Sequence, residues 1–242
     1  MNIDQLSDDE LRTLILKKQI EFIKLCQDNF LLFVKAMWPD FICRDAKDPE
    51  DWGHHQIISN EFQDIASKKS KRLIVNMPPR HTKSEFASYL LPSWMVGRNP
   101  KLKIIQTTHN AELAVRFGRK SKNLIDSDRY QKIFRTQLQE DSKAAGRWET
   151  SDGGEYFAAG VGGAITGRGA DLLIIDDPHS EQDSLSKTAM ESAYEWYTSG
   201  PRQRLQPGGK IVLVMTRWST KDLTGKLIAN QKEPKSDQWH VV

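Results

Sequence analysis

The chain has 242 residues, 35 Lys and Arg against 32 Asp and Glu, and 38% hydrophobic residues. This length fits one large domain, or one domain with a small appendage, and the composition excludes a disordered or fibrous chain. No apolar run approaches the roughly 18 residues of a membrane span, Met1–Glu10 is too polar and acidic for a signal peptide, and the two cysteines, Cys26 and Cys43, argue against a disulfide scaffold or a zinc site and point to a reducing cytoplasm.

Residues 8–37 carry apolar side chains at mostly three- and four-residue steps, among them Leu11, Leu14, Ile15, Ile20, Ile23, Leu25, Phe30, Phe33, Val34 and Met37, which predicts a helix ended by Pro39. Residues 40–53 read as a loop and 54–66 as a second helix with Ile57, Ile58, Phe62 and Ile65 on one face. From there strands and helices alternate. Strands are expected at 72–77, 101–108, 171–176 and 210–216, and QWHVV at the end can begin a fifth. Helices are expected at 84–96, 110–125, 185–199 and 220–231, the third with a stripe of Leu185, Ala189, Ala193, Trp196 and Tyr197. This alternation predicts an α/β fold, a mostly parallel central sheet with helices on both faces, and ligands at the carboxyl ends of the strands.

The first strand runs into Met77–Ser84, MPPRHTKS, and then into a helix. A phosphate-binding loop has this layout: backbone N–H groups and a helix start face the anion, a Lys reaches the terminal phosphates and a hydroxyl ligates Mg²⁺. Lys83 and Ser84 fit the last two roles, and Arg80, His81 and Thr82 supply further donors. The glycine positions of the G-x-x-x-x-G-K-[ST] pattern hold Met77 and Thr82, so a basic surface turn stiffened by Pro78 and Pro79 is the competing reading.

Leu172–Pro178, LLIIDDP, delivers two carboxylates to the ligand edge of the sheet. Asp176 there can hold Mg²⁺ and Asp177 can polarise an attacking water, with Glu181 the alternative acid; a plain Asp-Asp-Pro turn is the competing reading. Two adjacent Asp would repel each other without a metal. Five glycines between Gly160 and Gly169 suggest close backbone approach or mobility. Arg168 stands among them, poorly fixed in its own subunit, and is read as an arginine finger reaching a neighbour's nucleotide, with Arg80 or Arg217 as substitutes. Thr216 at the end of the fourth strand can sense a γ-phosphate; the competing reading is a helix N-cap region supplied by Ser219 or Thr220.

The order PPRHTKS, TGRGADLLIIDDP, then MTRW followed by DLTGKL resembles the ATPase domain of tailed-bacteriophage large terminase subunits, from about Trp52 onward. Phosphate loops lacking glycines are typical of that family. The resemblance implies a P-loop NTPase fold of the additional-strand class over residues 51–242, preceded by an N-terminal helical segment over 1–50. It implies ATP and Mg²⁺ as cofactors, Lys83 and Ser84 as the Walker A Lys and metal ligand, Asp176 and Asp177 as the Walker B pair, Thr216 and Arg217 in a coupling motif, and Gln56 as an adenine-reading residue, with His54 and His55 beside it as alternatives. It further implies double-stranded DNA, a portal protein and a small terminase subunit as partners, a homo-oligomeric ring on the prohead, possible monomers in isolation, and a host-cytoplasm location away from membranes. The family normally continues into a nuclease domain, which is not expected in this chain. A helicase-like nucleic-acid-dependent ATPase, or a non-hydrolysing nucleotide- or DNA-binding module, are the rival functions.

Overall fold

The computed structural model describes residues 6–39 and 53–242; residues 40–52 of the expected loop at 40–53, with Cys43 and Trp52, lie outside them. Leu172–Ile175 offers no polar residue to turn toward water, so it must sit where both faces are covered. It does: β6 (Ala170–Asp176) is central in an eight-stranded sheet, and Leu172, Leu173, Ile174 and Ile175 are fully buried. Numbering strands in chain order, the sheet runs β3 (Leu138–Ala144), β4 (Arg147–Thr150), β5 (Glu155–Gly160), β2 (Lys103–Thr108), β6, β7 (Leu205–Met215), β1 (Arg72–Asn76), β8 (His240–Val241). All pairings from β5 to β8 are parallel, while β3, β4 and β5 pair antiparallel. β1 and β6 are not neighbours, because β7 lies between them.

Strand side chains alternate faces, and this divides the core in two. Leu73, Val75, Leu172, Ile174, Val212 and Val214 join one layer. Against it pack α2 (Phe30–Met37), α3 (His54–Ala66) and α4 (Leu91–Arg98), with Phe30 meeting Phe62, Phe86 and Trp94 at ring separations of 5.8, 6.1 and 5.3 Å. Ile74, Leu173, Ile175, Ile211, Leu213 and Met215 face the other way, toward Tyr197 of α7 (Lys187–Ser199) and Leu223 and Leu227 of α8 (Leu223–Asn230). α5 (Ala111–Ile125) packs on β5 and β2, and a short α6 spans Asp128–Gln131.

Several expectations need correction. The helix expected over 8–37 is two, α1 (Asp8–Asp28) and α2, because Asn29 is extended and its side chain caps α2 by accepting from the Leu32 amide. The apolar periodicity of α1 is largely unspent: Ile15, Leu16, Ile20, Phe22 and Leu25 are exposed and only Cys26 of this helix is buried. Leu185 precedes α7 and is 90% exposed; Ser186 caps that helix, and Met190, Ala193 and Tyr197 form its buried face. α8 is capped by Asp222, not by Ser219 or Thr220. The β3–β4 hairpin escaped prediction altogether. Among the described residues no helix is long and apolar enough to cross a membrane.

Candidate functional site

β1 brings the chain to the carboxyl edge of the sheet, where residues 77–84 turn into a π-helical stretch, Glu85–Leu90, that continues as α4. Arg80 and Thr82 have φ of +64° and +62°. That backbone suits glycine and costs a β-branched residue on the order of 1–3 kcal/mol. Thr82, at the position of the second glycine in the G-x-x-x-x-G-K-[ST] pattern, thus holds a left-handed backbone that glycine would adopt without strain. Its hydroxyl donates to the His81 carbonyl at 2.6 Å and lies 2.7 Å from Nε2 of His55. With the hydroxyl hydrogen so used, Nε2–H of His55 is the donor in the second bond. His55 is buried on α3, its ring 5.1 Å from that of Phe86 and 3.9 Å from that of His54.

Ser84 and Ser88, one turn apart on the same helix, both donate to Asp176, to Oδ1 at 2.9 Å and Oδ2 at 2.7 Å. Asp176 is 1% exposed. Burial first, and the Asp177 charge second, push its carboxyl up to about 7, against the two hydroxyl hydrogen bonds that favour the anion. Asp177 is handled differently. Its φ of +42° turns it out of the strand, and Oδ1 accepts the Thr216 amide at 2.8 Å. Oδ2 lies 2.9 Å from Nζ of Lys83, which is 5% exposed and also donates to the Thr216 hydroxyl at 3.2 Å. That hydroxyl donates to the Met77 carbonyl at 3.3 Å. The ends of β1, β6 and β7 are therefore laced together through Lys83, Asp177 and Thr216.

Beyond Thr216 the lacing continues. Arg217 Nε donates to Asp222 Oδ2 at 3.0 Å, and the same oxygen accepts the Trp218 and Ser219 amides. Asp222 Oδ1 accepts the Gly225 amide at 2.8 Å as the N-cap of α8. Burial works to raise the Asp222 carboxyl, but these donors outweigh it and hold it below the usual range. His179, just past the acids, accepts the Leu223 amide at Nε2 at 2.9 Å, and burial depresses its pKa, so it sits as neutral imidazole.

The structure brings Lys83, Ser84, Asp176, Asp177, Thr82 and Thr216 into one cluster, with exposed Arg80 and His81 on its rim. Gln56 is outside it, exposed on α3 and bonded to Asn60 at 3.0 Å. Glu181 is exposed in the next loop. Arg168 is at the opposite edge, before β6. It is not loosely held, as its glycine neighbours suggested: its guanidinium pairs with Glu155 and lies 4.0 Å over the Phe157 ring. Ser88 and His179 escaped sequence reasoning. The four-residue step from Ser84 to Ser88 on a predicted helix was the available signal for the first; nothing in the sequence pointed to the second.

No protein-family model and no curated protein sequence matches the chain. Among solved structures the chain is similar to one titled crystal structure of the HK97 bacteriophage large terminase, with a TM-score of 0.47 and 14% identity. The similarity covers 86% of this chain and 42% of that one, so the chain spans less than half the length of the protein it matches.

Proposed function

We propose that the chain is a P-loop ATPase of the additional-strand class, acting as the motor domain of a large terminase that hydrolyses ATP to move double-stranded DNA into a prohead. One observation carries the ATPase reading. Lys83 and Ser84, from the loop after β1, meet Asp177 and Asp176, from the end of β6, across an intervening strand. The DNA-packaging part rests on the order of the sequence motifs, as do the portal protein, the small terminase subunit and the ring assembly.

The residues present fit ATP and Mg²⁺. Asp176 is a buried carboxyl beside a second carboxylate, poised near neutrality, and a divalent cation would resolve their repulsion. Among the described residues no group of three or more His, Cys, Asp or Glu forms an all-protein metal cage. That suits an ion held by one or two protein oxygens and shared with substrate phosphates. Ser84 and Asp176 would hold the ion, which when bound would neutralise and orient the terminal phosphates. Lys83 exchanges Asp177 for phosphate oxygens, and this frees Asp177 to accept a proton from an attacking water. Thr216, bonded to both, registers that exchange, and Arg217 passes it to the α8 cap. Arg80 and His81 stand on the loop rim where phosphate oxygens would lie. Arg168 can serve only by leaving Glu155 for a neighbouring subunit's nucleotide; recovered turnover on mixing Arg168→Ala with Lys83→Ala subunits supports that role, and no recovery in co-assembled mixtures removes it.

The deciding experiment is ATP turnover by the purified chain, with and without duplex DNA, beside Lys83→Ala. Turnover that the substitution abolishes is expected. A wild-type chain inert under both conditions, or a Lys83→Ala chain that turns over normally, overturns the reading.

A further inference from the structure

At the amino edge of the sheet, away from the cluster above, three cations converge on a cavity of about 280 Å³ lined by Ala66, Lys68, Met95, Arg98, Leu102 and Lys210. They come from separate elements. Lys68 follows α3 with φ of +67°, Arg98 ends α4, and Lys210 lies in β7 opposite Leu172. The five residues of β1 put roughly 16 Å between the two edges.

Lys210 is the telling residue. It is 7% exposed, yet among the described residues no carboxylate makes an ion pair with it, and none pairs with Lys68 or Arg98. Close by in sequence, Lys69 pairs with Asp64 at 3.1 Å and Arg72 with Asp237 at 3.0 Å. Burial first, then the Lys68 charge, depress the Lys210 ammonium; the Asp171 carboxylate pulls the other way without reaching ion-pair distance, and Arg98 adds to the depression. Arg98 is stacked 4.6 Å from the Trp94 ring centre, which fixes its guanidinium without neutralising it. A largely buried lysine beside two like charges, with Asp171 outside ion-pair distance, is short of counter-charge, and that imbalance carries a cost. An anion from outside the chain removes that cost, and a phosphate group, with several acceptor oxygens, matches two ammoniums and one planar guanidinium.

We infer that Lys68, Arg98 and Lys210 form a second phosphate-binding site, independent of the Lys83 loop. Its two sources are a nucleic-acid backbone phosphodiester and a free phosphate. The expectation that the backbone is the source rests on the proposed function; the phosphate chemistry does not.

The test uses the full chain without ATP. Melting temperature is measured with inorganic phosphate against chloride at equal ionic strength. Affinity for a 30-base-pair duplex is measured by fluorescence anisotropy across a salt series. Wild type, Lys68→Ala/Arg98→Gln, Lys210→Met and Lys83→Ala are compared. The first variant changes side chains at the cavity mouth and keeps the core; Lys210→Met retains the buried stem. Phosphate protection that falls in both cavity variants is expected; Lys83→Ala measures how much of the wild-type protection comes from the loop. For a backbone source, the slope of log affinity against log salt falls by about 0.9 for each DNA phosphate that the variant no longer neutralises, and affinity falls about tenfold or more. Diminished phosphate protection with unchanged duplex binding assigns the site to free phosphate. Cavity variants that match wild type in both assays overturn the site. The assays contain no ATP and the cavity variants leave Lys83 in place, so failure here and failure of the ATPase reading are separable.

Discussion

The two edges of the sheet treat buried lysine in opposite ways. At the carboxyl edge Lys83 is enclosed between Asp177 and Thr216, its charge balanced within the chain. At the amino edge Lys210 is nearly as buried, with Lys68 and Arg98 for company and no ion-pairing carboxylate among the described residues. Burial alone therefore does not distinguish the two; the partner does. A paired buried cation can trade one anion for another and so report the exchange. One that makes no ion pair within the chain is open to a counter-charge from outside it.

The comparison can be broken most sharply at the acids. Asp177→Asn keeps a side chain beside Lys83 but removes the proton acceptor. Turnover should fall by about 10²–10⁴-fold with nucleotide affinity changed only a few-fold. Normal turnover would move the role to Glu181.

The next test uses pH. The Asp176 carboxyl is raised from 3.8 to about 7 in the fold. Across that window the folded protein keeps a proton that the unfolded chain has released, so stability falls as pH rises from about 4 to 7. The loss is at most about 4 kcal/mol, at 1.36 kcal/mol for each pH unit. Asp176→Asn should erase it, gaining on wild type in urea denaturation as pH rises. Parallel curves for the two proteins would show that Asp176 is ionised throughout.

A smaller effect is expected at Asp222, which gathers three amides and Arg217. Asp222→Ala should cost about 2–3 kcal/mol, since a helix cap and a buried charge-assisted bond go together. A drop below about 0.5 kcal/mol would mean that water replaces the carboxylate. The smallest effect is at Thr82. Thr82→Gly relieves the left-handed backbone but loses the bond to His55, so the two nearly cancel. Thr82→Val keeps the strain and loses the bond, and should be about 1 kcal/mol less stable than Thr82→Gly. Equal melting temperatures would mean that the φ of +62° carries no strain.

The central strands were legible because an apolar run such as Leu172–Ile175 has one destination. The Lys83, Ser84, Asp176 and Asp177 cluster was legible because strand ends converge at one edge, so position along a strand predicts meeting. The hairpin β3–β4 was not: QLQEDSKAAGRWET has few apolar residues and lies at the sheet margin, where β3 pairs on one side only. Arg168 misled for a related reason. Its glycine neighbours suggest mobility, but Glu155 and Phe157, which hold it, are distant in sequence. The same holds at Asp222: Ser219 and Thr220 are equally good caps by residue type, and only the Arg217 pairing and the three amides select among them.

The position of β1 has a consequence for synthesis. It is flanked by residues 211–215 on one side and 240–241 on the other. A nascent chain therefore presents Leu73, Ile74 and Val75 with both edges open until well over a hundred further residues have been made. Pairings this distant in sequence form slowly and leave apolar strands exposed to other chains. The loop bearing Lys83 is translated early but acquires its framework late, so productive folding of this protein depends on protection of a strand completed long before its neighbours exist.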